Sequence, residues 1–205
     1  MRASVVTIHG WHMTGAEMWP LRRRLQRHGY EVHAFRYRSR RETPEQAARR
    51  LAVFLERVPG EVIHLVAHSL GGMVVRHLFA LAPVQRPGRI VMLGAPLAGS
   101  RSAARMAGTR AGRWWLGAAL DRGLVGGSPA LQGRRIGMIA GNRGLGVGSL
   151  LPGTLPRPND GTVAVDETYG PEVVRHLEVP YGHFRLLLAG PVADAVVRFL
   201  EQGEF

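Results

Sequence analysis

The stretch Val66-Ala67-His68-Ser69-Leu70-Gly71-Gly72, VAHSLGG, decides how this chain is read. An apolar, strand-like run over residues 61–68 ends here, and a helical pattern over residues 70–82 follows, stopped by Pro83. A side chain at so sharp a strand-to-helix corner is forced outward above the sheet edge, with the helix N-terminus pointing at it. Strand and helix then pass within contact distance, and Ala67, Gly71 and Gly72 are small enough to allow it. Such a corner is either a tight turn that happens to contain serine or a nucleophile held on a strained bend.

The rest of the chain repeats the alternation. Strand-like runs cover residues 4–10, 30–37, 61–68, 89–96, 134–141 and 173–180. Helical patterns fill the gaps. Residues 19–28 stop at Gly29, and a helix entered at Thr43-Pro44, with Thr43 as cap and Pro44 in the first turn, runs on to Pro59-Gly60. A last amphipathic helix spans residues 191–200. Strands alternating with helices predict an α/β fold, a parallel sheet of about six strands with helices on both faces and right-handed crossovers. Ligand sites in such sheets lie beyond the carboxyl ends of the strands. Two segments break the rhythm. Residues 97–133 form an irregular insertion with Arg113-Trp114-Trp115-Leu116, and residues 142–159 form a loop rich in Gly, Pro and Leu. Long excursions of this kind read equally as a cap or lid over a site and as packed surface.

At 205 residues the chain is expected to form one domain, residues 1–205, with a core under the sheet. Its 45% hydrophobic and 20% charged content is ordinary for a globular protein. No apolar run reaches the roughly 20 residues that span a bilayer. With Met1 taken as the native start, no secretory signal is visible and the expected location is the cytoplasm. There is no cysteine, which excludes disulfides, thiol nucleophiles and thiolate metal sites. The net charge of +12 comes entirely from arginine, a one-sidedness that reads as codon bias. Clusters at residues 22–24 and 36–41 accompany no nucleic-acid-binding motif, so no nucleic-acid partner is expected. Transient association with anionic lipid surfaces is the more natural expectation, and the oligomeric state is left open.

The neighbourhood of Ser69 favours the nucleophile. The stretch resembles the nucleophile elbow of the α/β-hydrolases, G-x-S-x-G, in the A-x-S-x-G form of a group of bacterial lipases. The family orders its triad serine, acid, histidine, the acid after the penultimate strand and the histidine after the last. PNDGTV, residues 158–163, is similar to the acid-bearing segment of several lipases and implies Asp160. Asp166 is the alternative, set behind Asp160 because Asn159 and Gly161 make the tighter turn. Asp121 and Asp194 follow the wrong elements. VPYGHFRLL, residues 179–187, puts His183 where the family carries its base. His64 and His77, inside a strand and a helix, read as core or surface residues. HGWHMTG, residues 9–15, resembles the oxyanion segment of lipases, so the Trp11 N–H and the Leu70 N–H are the implied oxyanion donors, with His9 as a brace. LGAPLAGS, residues 93–100, is similar to a further lipase segment.

The resemblance implies a minimal α/β-hydrolase fold and a serine hydrolase, an esterase or lipase acting on carboxylic esters with an apolar acyl chain. A thioesterase or acyltransferase on the same triad, and a non-catalytic binding module of the same fold, are the alternatives. No cofactor or metal is called for, and the partner is a small-molecule or lipid ester. His12 faces either substrate or solvent. Trp114 and Trp115 belong either to a moving lid or to a packed surface. Leu116, Leu124, Leu150 and Leu151 either line an acyl site or pack into the core.

Overall fold

The computed structural model describes residues 3–131, 133–144 and 155–205. Six strands form a single sheet: β1 (Ser4–Ile8), β2 (Glu31–Phe35), β3 (Ile63–His68), β4 (Ile90–Leu93), β5 (Ile136–Gly141) and β6 (Val173–Val179). Their spatial order is β2-β1-β3-β4-β5-β6, and every neighbouring pair is parallel. The four inner strands are buried at every position. Helices cover both faces of a parallel sheet, so its inner strands must be apolar on both sides.

Alternation of side chains divides the core in two. Val6, Ile8, Leu65, Ala67 and Met92 pack on one face with α2 (Pro44–Glu56) and α3 (Leu70–Leu81). Val5, Val66, Val91 and Ile139 pack on the other with α1 (Trp19–Arg27) and α6 (Gly190–Gln202). The start of α2 is held as its sequence suggests. Thr43 Oγ1 accepts from the Gln46 N–H at 3.2 Å, and the Gln46 side chain accepts in return from the Thr43 N–H at 3.0 Å.

The insertion at 97–133 is more regular than expected. It contains α4 (Arg101–Ala107) and α5 (Arg110–Leu116), capped by Ser100 and Thr109. Two-turn helices are marginal alone and depend on packing, so periodicity gives them little signal. This segment is latched at several points. The Leu116 carbonyl accepts from the Trp11 indole, the Arg40 carbonyl from the Ala118 N–H, and the Glu167 carbonyl from the Ala98 N–H. A buried ion pair, Arg76 Nε to Glu172 Oε1 at 2.6 Å, adds bonds from Arg76 to the Leu97 carbonyl and the Ser128 hydroxyl, tying both ends of the insertion to α3. Of the 142–159 loop, residues 145–154 lie outside the described residues, and Leu150 and Leu151 with them. No helix among the described residues is long and apolar enough to cross a membrane.

At the start of α3 the helix lies directly against the end of β1. A Cβ on Gly71 would lie 2.6 Å from the Ile8 carbonyl oxygen and 2.8 Å from that of His9. Both are backbone atoms, so no side chain can swing aside. Gly71→Ala is therefore expected to lower the unfolding free energy by about 1–3 kcal/mol in urea titration, as overpacking does. A cost below about 0.5 kcal/mol would mean that helix and strand are not in this contact.

Candidate active site

Ser69 caps α3 with φ 52° and ψ −122°, a backbone conformation that L-residues avoid. Three contacts hold it there. Its N–H donates to the Leu93 carbonyl on β4 at 2.9 Å, its carbonyl accepts from the Gly72 N–H at 2.9 Å, and Gly71 presses on the end of β1. The chain must turn back at once, so the hydroxyl stands above the sheet edge. Leu70 follows the serine in the chain, and Trp11 lines the same cavity; each carries a backbone N–H. Among the described residues neither donates a hydrogen bond. The Ser69 hydroxyl likewise forms none, so the pair described next does not yet reach it.

Asp160 and His183 are brought together beyond the ends of β5 and β6. The Asp160 Oδ2 lies 2.6 Å from His183 Nδ1, and both side chains are buried. The other carboxylate oxygen accepts from the Thr162 and Val163 N–H groups at 2.9 and 2.7 Å. The Asp160 carbonyl accepts from the His183 N–H at 3.0 Å, so acid and ring are joined through backbone as well as side chains. A carboxylate bound to Nδ1 orients the imidazole and leaves Nε2 free. Gly94 at the end of β4 makes room for the pair: its φ is 56°, and a Cβ there would sit 3.1 Å from both Asp160 Oδ2 and His183 Nδ1.

His68, one residue before the serine, was not singled out in the sequence. Its Nε2 lies 3.2 Å from the His183 carbonyl, and since a carbonyl only accepts, that nitrogen carries the proton. Burial pushes its pKa well down, with the neighbouring His183 adding to the effect, so the ring is neutral. The serine corner and the His183 segment are thus tied together. Glu167 was missed too. Its carboxylate accepts from the Ala164 N–H at 2.9 Å and the Arg101 N–H at 2.7 Å, joining the Asp160 turn to the start of α4. Burial raises its pKa. The adjacent Asp166 was visible in the sequence, but nothing there says which of two neighbouring acids turns inward.

Ser69, His68 and His183 line a cavity of about 460 Å³. Its remaining walls are mostly apolar, including Met106, Leu116, Leu124 and Val163. His12 and Trp115 form part of the rim, with their rings stacked 4.5 Å apart. Trp114 does not belong to this lining. It is 70% exposed, with the Arg40 guanidinium 4.9 Å from its ring centroid. Successive helical residues point about 100° apart, so two adjacent tryptophans cannot both face the cavity.

Asp166 is exposed and forks onto Arg101 through two 2.8 Å hydrogen bonds, away from His183. Asp121 and Asp194 are outside the cavity lining. His9 donates from Nδ1 to the Gly10 carbonyl and accepts at Nε2 from the Tyr37 N–H, bracing the loop that carries Trp11. His64 accepts from the Arg89 N–H, and His77 bonds the Arg122 carbonyl.

The family model described as "Alpha/beta hydrolase family" matches residues 5–202. Among solved structures, the chain is similar to the mature lipase BlEst2 of Bacillus licheniformis, with a TM-score of 0.75 and 16% identity over 98% of this chain and 91% of that one. The metagenomic carboxyl esterase MGS0156 gives 0.68 and 17%, covering 98% and 76%. A pyrethroid hydrolase from Sphingobium faniae JZ-2 gives 0.66 and 18%, covering 98% of each chain. A search of curated protein sequences gave no match.

The buried imidazoles set a pH dependence. Burial, helped by the Arg89 charge, lowers the His64 pKa from 6.5 to about 4. Burial lowers His9 in the same direction. Between those two values the unfolded chain binds more protons than the folded one, so stability falls as the pH drops through that window. The urea midpoint should decline from pH ~6.5 towards ~4, with His64 titrating near 4 by NMR. A His64 resonance that titrates near 6.5 would contradict its burial as a neutral acceptor.

Proposed function

This chain belongs to the α/β-hydrolase family, and on that premise we propose that it hydrolyses carboxylic esters with an apolar acyl chain through an acyl-enzyme on Ser69. The observation that carries this reading is the Asp160–His183 pair, closed at 2.6 Å, at the same cavity as a serine held at positive φ.

The chemistry follows from the side chains. His183 Nε2 takes the Ser69 proton as Oγ attacks the ester carbonyl carbon. The carbonyl π electrons move to oxygen, and the Leu70 and Trp11 N–H groups are the donors that receive that charge. Asp160 keeps the imidazole in the right tautomer and stabilises its cationic form. Collapse breaks the bond to the leaving oxygen, which leaves as an alcohol with the proton from His183. Water then gives a proton to His183 and attacks the acyl carbon, and the acid departs as Ser69 recovers its hydrogen. The acyl chain takes the apolar walls around Met106, Leu116 and Leu124, a cavity of ordinary size for a small ligand.

Among the described residues the Ser69 hydroxyl makes no hydrogen bond to the imidazole, and such bonds commonly tighten only in the Michaelis complex. Stacked on Trp115 at the rim, His12 would touch the ester as it enters.

The test uses p-nitrophenyl esters from acetate to palmitate, with no alcohol or thiol acceptor added. Wild type should release p-nitrophenol steadily, and Ser69→Ala should abolish it. Asp160→Asn should lower kcat by roughly 10³- to 10⁴-fold, the loss expected when the imidazole is held in the wrong tautomer. Asp166→Asn should leave kcat within about twofold, because its side chain pairs with Arg101 instead. Turnover that survives Ser69→Ala would overturn the reading.

A further inference from the structure

The sequence places Arg36-Tyr37-Arg38-Ser39-Arg40-Arg41 directly after β2, and the fold carries this run to the edge of the cavity just described. Arg36, Arg38, Arg40, Arg41 and Arg50 line a second cleft of about 680 Å³. The two spaces meet at His12 and Met13, which line both. Their chemistry differs: one is walled almost wholly by hydrocarbon, the other has five arginines in its lining.

The charge in this cleft is largely unneutralised. Glu42 pairs with Arg50 at 2.7 Å. Among the described residues, no carboxylate comes within ion-pair distance of Arg36, Arg38, Arg40 or Arg41. Like charges gathered around one concavity repel each other and raise the local potential, which favours an anion entering it. One of the four is already held in place. Arg40 donates to the Trp114 carbonyl at 3.2 Å, and its guanidinium lies 4.9 and 5.6 Å from the Trp114 and Trp115 ring centroids. An arginine fixed by aromatic faces loses little freedom when it binds.

We propose that this cleft binds the phosphate of a phosphorylated alcohol, the leaving-group half of an ester whose acyl half occupies the apolar cavity. The inference rests on the ester-hydrolase reading of Ser69. An ester has two halves, and the hydrocarbon walls suit only one of them. A phosphate monoester carries about −1.5 to −2 charges at pH 7 and accepts paired N–H donors, which suits several guanidinium forks better than a single carboxylate does.

Binding is tested first, without any need for turnover. Glycerol phosphate is titrated into the full chain at low salt while tryptophan emission is followed, since Trp114 and Trp115 flank Arg40. A saturable change is expected, absent with acetate at matched ionic strength. Arg38→Gln with Arg41→Gln should weaken it by about tenfold or more, the size of one or two charge-assisted hydrogen bonds. Both side chains are exposed and donate no hydrogen bond among the described residues, so this variant is expected to fold.

Kinetics then compares butyryl glycerol phosphate with monobutyrin. The phosphorylated ester should have roughly tenfold higher kcat/KM, an advantage that the double variant loses and that about 0.5 M NaCl screens away. Lysophosphatidic acid in phosphatidylcholine vesicles forms the second arm. A gain confined to the vesicles would identify a lipid headgroup as the source of the phosphate; a gain on the soluble ester would identify a free phosphorylated alcohol. Saturable binding with neither butyrate cleaved would leave the anion site standing and remove the ester-hydrolase reading. No gain from the phosphate in either the soluble or the vesicle arm, or emission that acetate changes as much as glycerol phosphate does, would overturn the proposal.

Discussion

The backbone of Ser69 is the point on which the rest of the structure depends. A serine at φ 52° carries a cost of order 1–3 kcal/mol, and it persists only where its surroundings leave no other conformation. Here those surroundings are backbone. The Leu93 carbonyl takes the Ser69 N–H, and the first turn of α3 lies against the Ile8 and His9 carbonyls with no space for a Cβ. Strand β3 therefore cannot run on, α3 cannot start earlier, and the hydroxyl has nowhere to go but above the sheet.

Everything the proposed chemistry uses is fastened to that corner. Gly94, just past β4, leaves room for the Asp160–His183 pair. His68, inside the corner itself, donates to the His183 carbonyl. Glu167 links the Asp160 turn to α4, and α5 returns to the Trp11 indole through Leu116. Five strand ends and the insertion are thus joined, by hydrogen bonds and close packing, around one cavity. Because the insertion is pinned at Trp11, Arg40 and Glu167, the cavity walls do not rest on the insertion's own weak helices.

Much of this was legible in the sequence, for a local reason. Strand-length apolar runs broken by Gly and Pro mark the six strands, and turn chemistry marks the corners at Ser69, Asp160 and His183. Each of those signals sits within a few residues of the position it describes. What was not legible depends on distant partners. Arg76 and Glu172 are 96 residues apart and form a buried pair that neither residue announces. His68 looked like a spacer in the elbow motif, since its partner lies 115 positions on. The helices α4 and α5 are two turns long, with Gly108 between them and Gly112 inside α5, so their periodicity is weak until the rest of the fold surrounds them. Trp114 and Trp115, adjacent in the chain, were read together because one sequence cannot say which of the two turns inward.

The central claim is that a covalent acyl group passes through the Ser69 oxygen. Mixing the protein with a p-nitrophenyl ester, quenching in acid within the first turnover and mapping the peptides by mass spectrometry tests it directly. The account predicts the mass of the acyl group on the peptide that contains Ser69, and its disappearance on a longer incubation as water releases it. Product formed with no acylated peptide at any quench time, or acyl mass carried by a different side chain, would contradict it.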